Sequence, residues 1–392
     1  MTSERAGLVA RAGTLRERLW DAAAQADSMR RLPADTVAAI TEAGLFRLLT
    51  PKRWGGHQTD VRTLLDVCAE IGRGCCSAGW ITGVVNAGNF VVSLFPHKAQ
   101  EEVWGNNPDA LAAMVLGMPA KGVEPTAGGV LVTGEWAYAS GSLHADWMGG
   151  LIAVGSDTGP PEVHFALMPM SELTVKDTWH FAGMRGTGSN TVVAERVFVP
   201  AHRLLPYVPV LRGETEELVD PGHAYRHSFT GVFSVGLIGS LIGGADAAYR
   251  YVREKAPTRP AAGSTYRNQA ESPTLQLDLA EAVTKIDTAR LIAGALTDRI
   301  DHFAAAGENP DVVTRARARM DSTQTAQLCR EAMDTLLTAY GSSAFAESNP
   351  LQRIWRDINV GSRHAGFGMG IPQQVYGRAL VGKDPREISF LV

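Results

Sequence analysis

The sequence is poor in cysteine: its 392 residues include four, Cys68, Cys75, Cys76 and Cys329. Cys75 and Cys76 are adjacent and cannot form an ordinary disulfide with each other. No CxxC pair and no Cys/His spacing typical of a metal site occurs. The sequence therefore predicts no disulfide framework and no metal site, and the thiols are expected to be small buried groups in a reduced, cytoplasmic protein.

Charge is also sparse and evenly mixed along the chain. Charged residues make up 20%, the net charge is −4, and no basic run suggests binding to nucleic acid or to an anionic membrane. The N-terminal segment lacks the apolar core of a signal peptide, and no apolar stretch is expected to span a membrane. Hydrophobic residues at 45% are typical of a globular protein without nucleic-acid or membrane partners.

Common cofactor and catalytic signatures are missing as well. The chain contains no Walker loop, no GxSxG elbow and no HExxH. The run GLIGSLIGGA (236–245) is rich in glycine, but it lies inside a helical pattern and does not follow a strand. It predicts close helix packing rather than a dinucleotide-binding loop, so the chain has no recognisable nicotinamide site.

The sequence does show a change of pattern along its length. Apolar residues at three- and four-residue spacing predict an N-terminal helical domain over 1–107, as in TLRERLWDAAAQADSMRRL. Alternating apolar residues and turn signals predict a central β-domain over 108–204. Four long helical segments predict a C-terminal four-helix bundle over 205–392. The predicted fold class is therefore α+β, mainly α.

Three motifs add specificity to this order: GEWAYASGSLHADW (134–147), FAGMRGTGSNTVVAERVFVP (181–200) and PLQRIWRDINVGSRHA (350–365). Together with the order of elements, they resemble the acyl-CoA dehydrogenase fold over nearly the whole chain. Within that fold the motifs are most similar to flavin-dependent monooxygenases of two-component systems. Such enzymes hydroxylate 4-hydroxyphenylacetate, steroid-derived phenols, aromatic polyketides and indoles.

The last motif distinguishes dehydrogenases from oxygenases. Many dehydrogenases of this fold carry a catalytic glutamate eight residues after the aspartate of the motif, and counting from Asp357 gives Ala365. Without a carboxylate, abstraction of a proton from an acyl thioester has no base at that position. His364 stands one residue earlier, where the aromatic hydroxylases have a histidine. The resemblance implies an acid/base role for His364, and an ordinary packed histidine is the alternative.

The resemblance also implies cofactors and a partner. A separate NAD(P)H:flavin reductase would supply reduced flavin, FADH2 or FMNH2. Reaction with O2 would form a C4a-hydroperoxyflavin, which transfers oxygen to a small aromatic substrate. Three alternatives stay open: N- or S-oxygenation on the same fold, an acyl-CoA dehydrogenase with a displaced base, and a non-catalytic oligomeric binding protein.

Five residues are implied as flavin contacts. Ser140 is expected beside flavin N5, where its hydroxyl can donate and accept, although a turn-capping serine would look the same. Trp80 matches a tryptophan near the flavin ring, and Trp136 is expected on the same wall; both also suit a hydrophobic core. Thr187 and Ser189 are expected to contact the flavin or its phosphate, unless their glycine-containing segment is only a β-turn.

The remaining expectations concern the phosphate and the substrate. Arg267 is expected to bind the flavin phosphate of a neighbouring subunit in a homodimer or homotetramer. Some phenol hydroxylases of the fold have a phenol-binding histidine where this chain has Gly88, beside Asn89. The glycine is expected to open space for a polycyclic substrate, and Gly88 and Asn89 are expected to contact it. Phe229 and Phe233 are expected to line that space or to belong to the core.

Overall fold

The computed structural model describes residues 2–155, 160–215, 229–368, 370–389 and 391–392. Within these residues, helices come first, strands follow, and helices return towards the C-terminus. The predicted α+β, mainly helical fold class is confirmed.

The N-terminal part consists of helices. Asp60 begins one of them by accepting the backbone N–H of Thr63, an N-cap that the first turn requires. The longest, α5, is apolar around its whole circumference, and all its residues are buried, which makes it a core helix. The helices are α1 (Ser3–Thr14), α2 (Arg16–Met29), α3 (Ala34–Glu42), α4 (Val61–Gly72), α5 (Cys76–Ser93) and α6 (His97–Trp104).

The central part contains two four-stranded sheets, ordered β1-β4-β5-β8 and β2-β3-β7-β6. All strand pairs are antiparallel except β1 with β4. Alternate side chains of both sheets enclose a separate apolar core. The strands are β1 (Ala112–Ala120), β2 (Gly122–Thr126), β3 (Gly129–Ala139), β4 (Trp147–Val154), β5 (Glu162–Pro169), β6 (Thr174–Lys176), β7 (Asn190–Pro200) and β8 (Leu204–Pro206).

The C-terminal helices share one core with the N-terminal helices. The central helix α8 packs against α4 and α5 on one side and against α9 and α10 on the other. The helices are α7 (Tyr207–Arg212), α8 (Phe229–Lys255), α9 (Pro273–Ala306), α10 (Val312–Tyr340), α11 (Pro350–Gly361) and α12 (Ile371–Leu380).

The glycines of α8 allow it to approach its neighbours closely. A Cβ atom on Gly236 would lie 2.6 Å from the Cα of Gly83 on α5. One on Gly243 would lie 2.1 Å from the carbonyl oxygen of Ala69 on α4. Because no larger residue fits either crossing, the prediction that GLIGSLIGGA serves helix packing is confirmed.

The same helix corrects one expectation from the sequence. The segment Gly231–Thr258 is long and apolar enough to cross a membrane, although no stretch of that kind was expected. However, 89% of its most apolar window is buried inside the protein. The burial identifies α8 as the core helix of the fold.

The four cysteines are free and buried. Burial raises the pKa of Cys75 to about 11 and that of Cys329 to about 12, so these thiols stay protonated near neutral pH. Their predicted role as packing groups is confirmed. The described residues include no cluster of histidine, cysteine and acidic side chains that could hold a metal ion.

The helical segment near the C-terminus is interrupted around His364. α11 ends at Gly361, α12 begins at Ile371, and turns connect them. His364 therefore lies in a turn beyond the end of a helix rather than on a helix face. The direction of the His364 side chain is therefore not set by the helical repeat of α11.

Gly236→Ala is expected to lower the free energy of unfolding by about 1–3 kcal/mol, because the added methyl group has to displace the backbone of α5. Gly377→Ala is the matched control, since a Cβ there meets nothing within 4 Å. It should raise stability by up to about 1 kcal/mol through helix propensity. Urea denaturation measures both variants, and unchanged stability of Gly236→Ala would contradict the close crossing.

Candidate active site

A cavity of about 820 Å³ lies where the sheets meet the helices. Its walls include Ser140 just after β3, Trp80 on α5, Phe233 on α8, Arg319 on α10 and His364 after α11. A cavity of this volume is typical of small-molecule sites. Residues from all three parts of the chain therefore meet in one place.

Three hydroxyl groups form a continuous hydrogen-bonded row on one wall. Ser140 Oγ lies 2.6 Å from Ser189 Oγ, which lies 2.6 Å from Thr187 Oγ1. The Thr187 hydroxyl donates to the carbonyl oxygen of Met184 at 2.8 Å. A carbonyl can only accept, so Ser189 has to donate to Thr187 and Ser140 to Ser189. Ser140 is left with acceptor lone pairs alone for any further partner.

The loop that carries this row is fixed to α11. Met184 has a left-handed backbone, with φ 51°, and donates its N–H to Oδ1 of the buried Asp357 at 2.6 Å. Burial raises the pKa of the Asp357 carboxyl to about 7, and the Met184 N–H opposes that rise. Asp357 thus positions the carbonyl group to which the hydroxyl row is directed.

An aromatic wall adjoins Ser140. Trp179 and Phe181 stack with ring centroids 3.9 Å apart, and Tyr138 meets both rings edge-on at 6.2 and 6.1 Å. Tyr138 is 66% exposed and Phe181 is 37% exposed, although both line the cavity. Partly uncovered aromatic faces beside a hydrogen-bond acceptor suit a planar ring system with a polar edge.

His364 is held among aromatic rings. Its centroid lies 5.7 Å from that of Trp80, 5.7 Å from that of Phe233 and 5.8 Å from that of Phe367. Its Nδ1 accepts the backbone N–H of Gly366 at 3.1 Å. The turn after α11 therefore fixes both the place and the orientation of the imidazole.

The environment also fixes the protonation state of His364. Burial lowers its pKa from the ordinary 6.5 to about 4, so the ring is neutral near pH 7. Since Nδ1 accepts a hydrogen bond, the single proton is on Nε2. Of the acid/base role expected for His364, hydrogen-bond donation from Nε2 is therefore what remains near neutral pH.

Among the described residues, no acidic side chain lines the cavity. Ala365, which occupies the position of the dehydrogenase glutamate, is itself on the wall. A dehydrogenase with a displaced base would need a carboxylate near the substrate. The described part of the cavity gives that alternative no support.

Six of the predicted site residues line the cavity: Trp80, Ser140, Thr187, Ser189, Phe233 and His364. Trp136 does not; it is buried between the sheets and donates its indole N–H to the carbonyl oxygen of Leu151 at 2.9 Å. Sequence alone cannot assign it, because alternation along a strand shows which residues share a face but not what covers that face.

Gly88 and Asn89 also lie elsewhere. A Cβ on Gly88 would come within 2.1 Å of the carbonyl oxygen of Ala112 on β1, so the expectation that this glycine opens space for substrate is wrong. The glycine instead lets α5 contact the sheet. Asn89 donates to the carbonyl oxygen of Phe46 at 2.8 Å and to Thr50 at 3.0 Å, which joins α5 to the N-terminal part.

Two further predicted site residues, Arg267 and Phe229, are not among the described residues that line this cavity. The Arg267 side chain is 89% exposed and pairs with Glu271 at 3.3 Å, away from the cavity of its own chain. A contact with a neighbouring subunit stays a prediction. Phe229 begins α8, and its side chain lies outside the described residues.

Sequence reasoning missed several wall residues. Phe181 is the first residue of the second motif and Trp179 precedes it by two, so their position was a usable signal. Arg315 and Arg319 gave no such signal in the sequence, because arginines four residues apart on a helix usually face solvent. Only the packing of α10 shows that they reach the cavity.

Comparison with known proteins first defines the class. Residues 9–106 match the N-terminal domain of acyl-CoA dehydrogenases, and residues 236–368 match the C-terminal domain. The structure of XiaF from Streptomyces sp. in complex with FADH2 and glycerol superposes with a TM-score of 0.91 at 36% identity, covering 97% of this chain and 96% of that one. The fold is thus that of the acyl-CoA dehydrogenases.

Curated relatives then define the family. The chain is 34% identical over 361 residues to the oxygenase subunit HsaA, a flavin-dependent monooxygenase of Rhodococcus jostii, covering 90% of this chain and 91% of that protein. It is 31% identical over 396 residues to the oxygenase component of the FADH2-dependent resorcinol hydroxylase of Rhizobium sp., covering 97% and 95%. The chain belongs to the oxygenase components of two-component flavin-dependent monooxygenases. It depends on reduced flavin, which in two-component systems is supplied by a separate flavin reductase.

The described residues fit a reduced flavin. The acceptor end of the hydroxyl row at Ser140 complements the N5–H group, which reduced flavin has and oxidised flavin lacks. Tyr138 and Phe181 offer faces for the ring, while Thr187 and Ser189 fix the direction of the row. When bound, reduced flavin supplies the electrons that activate O2.

Lowering the pH should destabilise the wild-type protein relative to His364→Gln. Between the ordinary pKa of 6.5 and the folded-state value of about 4, the unfolded chain binds a proton that the folded protein does not bind. Stability due to the neutral imidazole is therefore lost as pH falls through this window. Urea denaturation at about pH 7.5 and about pH 5 should show that wild type loses about 2 kcal/mol more than the variant. An equal loss in both proteins would show that His364 is not a buried neutral group.

Proposed function

We propose that this oxygenase hydroxylates a polycyclic aromatic compound of polyketide or indole type, in the biosynthesis of a natural product such as an antibiotic. The observation that carries the proposal is the directed hydroxyl row, which ends in an acceptor at Ser140 beside an aromatic wall. It offers reduced flavin a partner that oxidised flavin cannot use. The cavity continues past this wall to His364, which leaves room for a second ring system.

Each wall residue then has a defined task. Ser140 accepts a hydrogen bond from the reduced flavin edge and orients its ring. Trp80 and Phe233 pack against the imidazole and help to exclude water from it. His364 holds its proton at Nε2 and donates a hydrogen bond to an oxygen of the substrate or to the oxygen being transferred.

The size and lining of the cavity support a polycyclic substrate. About 820 Å³ is near the upper end of volumes found for small-molecule sites, which suits a flavin ring and a second fused-ring compound together. Apolar side chains such as Val84, Ile300 and Phe303 line much of the remainder. A phenol of one ring would leave part of this apolar surface uncovered.

Ser140→Ala is expected to weaken binding of reduced FAD or FMN by about 3- to 10-fold, the effect of losing one neutral hydrogen bond. Affinity for oxidised flavin should change little, because oxidised N5 has no proton to donate. Anaerobic fluorescence titration measures both affinities. With a flavin reductase and a polycyclic phenol, the variant should form less product and more hydrogen peroxide per NADH consumed.

Ser142→Ala is the control, since Ser142 is buried two residues away and its hydroxyl has no partner among the described residues. It should bind reduced and oxidised flavin as wild type does. Equal affinity of wild type for reduced and oxidised flavin, or the absence of any hydroxylated product, would rule out the proposed function.

We also propose that the protein is a cytoplasmic homodimer or homotetramer. Leu277 and Leu291 are 71% and 74% exposed on α9. They lie four helical turns apart, so both are on one face of that helix. Exposed leucines aligned in this way are typical of a surface covered by another subunit.

Light scattering of wild type should give two or four times the chain mass of 41.9 kDa. Leu291→Glu should reduce the assembly size, because a carboxylate would have to be buried in an apolar contact. A monomeric wild type, or a variant with unchanged mass, would contradict an interface on this face of α9.

A further inference from the structure

The charge on the described cavity wall is of one sign, positive. Four arginines line the cavity, Arg299, Arg315, Arg319 and Arg363, and no acidic residue among those described does. Arg299 pairs with the buried Asp321 at 2.9 Å, a carboxylate that it shares with Arg317. The other three have no carboxylate within ion-pair distance in the described part of the chain.

Arg319 connects this charge to His364. Its Nη1 donates to Ser389 Oγ at 2.7 Å and to the carbonyl oxygen of Leu391 at 3.2 Å, and its Nε points to the carbonyl oxygen of Gly366 at 3.5 Å. Gly366 is the residue whose N–H binds His364. Arg319 therefore lies on the His364 side of the cavity. Burial without an acidic partner lowers its pKa to about 10.

Arg315 lies one turn earlier on α10, and its Nε is buried without a hydrogen-bond partner. The acids nearest to it are otherwise engaged: Asp311 caps α10 through the N–H of Thr314 at 2.7 Å, and Glu214 pairs with Arg212 at 4.0 Å. Arg315 is half-buried, and this burial lowers its pKa. Because no carboxylate among the described residues forms an ion pair with it, an anion in the cavity would stabilise it.

We infer that Arg315 and Arg319 form an anion-binding end of the substrate cavity, and that the aromatic substrate carries a carboxylate there. The inference rests on the proposed function and adds the chemical class of its substrate. Ile300 and Phe303 of α9 and Ala318 of α10 line the same region, so an apolar ring can lie between the arginines and His364. Guanidinium groups recognise carboxylates through paired N–H donors.

The flavin phosphate is the other anion that could reach this end. The hydroxyl row and the aromatic wall that suit the flavin belong to the sheet part and its loops. Arg319, in contrast, is joined through Gly366 to His364. The arrangement favours the substrate, and flavin phosphate binding is an outcome that the experiment can detect.

The test uses 2-naphthoate and its uncharged analogue 2-naphthamide as probes, with the whole protein and without flavin. Calorimetry should show that wild type binds the acid at least about tenfold more tightly than the amide, the effect of one charge-assisted hydrogen bond. Arg315→Gln should abolish most of that preference. Because Arg315 makes no described side-chain hydrogen bond, this variant should fold normally, whereas Arg319→Gln also loses the contact with Ser389.

Arg317→Gln is the matched control, since Arg317 is on the same helix, pairs with Asp321 and does not line the cavity. It should keep the preference for the acid. Reduced FMN and reduced riboflavin, which differ only by the phosphate, are a second pair of probes. Arg315→Gln should change the affinity for both equally.

Three results would overturn the inference. They are no binding of the acid by wild type, equal binding of acid and amide, and a loss in Arg315→Gln of affinity for reduced FMN but not for reduced riboflavin. Failure of the proposed function would appear separately, as a wild type that does not prefer reduced flavin. The two failures are distinguishable because the acid and amide are compared without flavin.

Discussion

The hydrogen bond between Asp357 and the backbone of Met184 is the contact on which the site depends. It joins α11 to the loop before β7, and it holds Met184 in a left-handed conformation that side chains rarely adopt. The Met184 carbonyl then accepts from Thr187, which sets the direction of the hydroxyl row up to Ser140. Since α11 also leads into the turn that carries His364, this hydrogen bond joins the hydroxyl row to the helix that precedes His364.

The helical core supplies the rigidity that such an arrangement needs. Glycines at the crossings of α8 bring it against α4 and α5 at distances that side chains would prevent. These crossings fix the separation of Trp80 on α5 from Phe233 on α8, and His364 packs against both rings. Close packing of this kind tolerates little movement, so the imidazole keeps one environment and one tautomer.

Loss of the dehydrogenase glutamate changes the electrostatics of the whole cavity. A carboxylate would remove protons from substrate carbon and would pair with nearby arginines. Here the described walls carry a neutral imidazole and arginines but no carboxylate, and N–H donors of this kind favour negative charge on oxygen. The same fold therefore supports oxygen transfer where its relatives remove hydrogen.

The sequence by itself determined the order of helices and strands, the family and six of the cavity residues, because these depend on periodicity and on local motifs. His364 was identified by counting from Asp357, yet its neutral Nε2–H form follows only from burial and from the N–H of Gly366. Trp136, Gly88 and Asn89 were misplaced because a position in a motif does not reveal what packs against it. The tertiary structure alone decided the direction of the hydroxyl row and the inward position of Arg315 and Arg319, since both depend on contacts between segments distant in the chain.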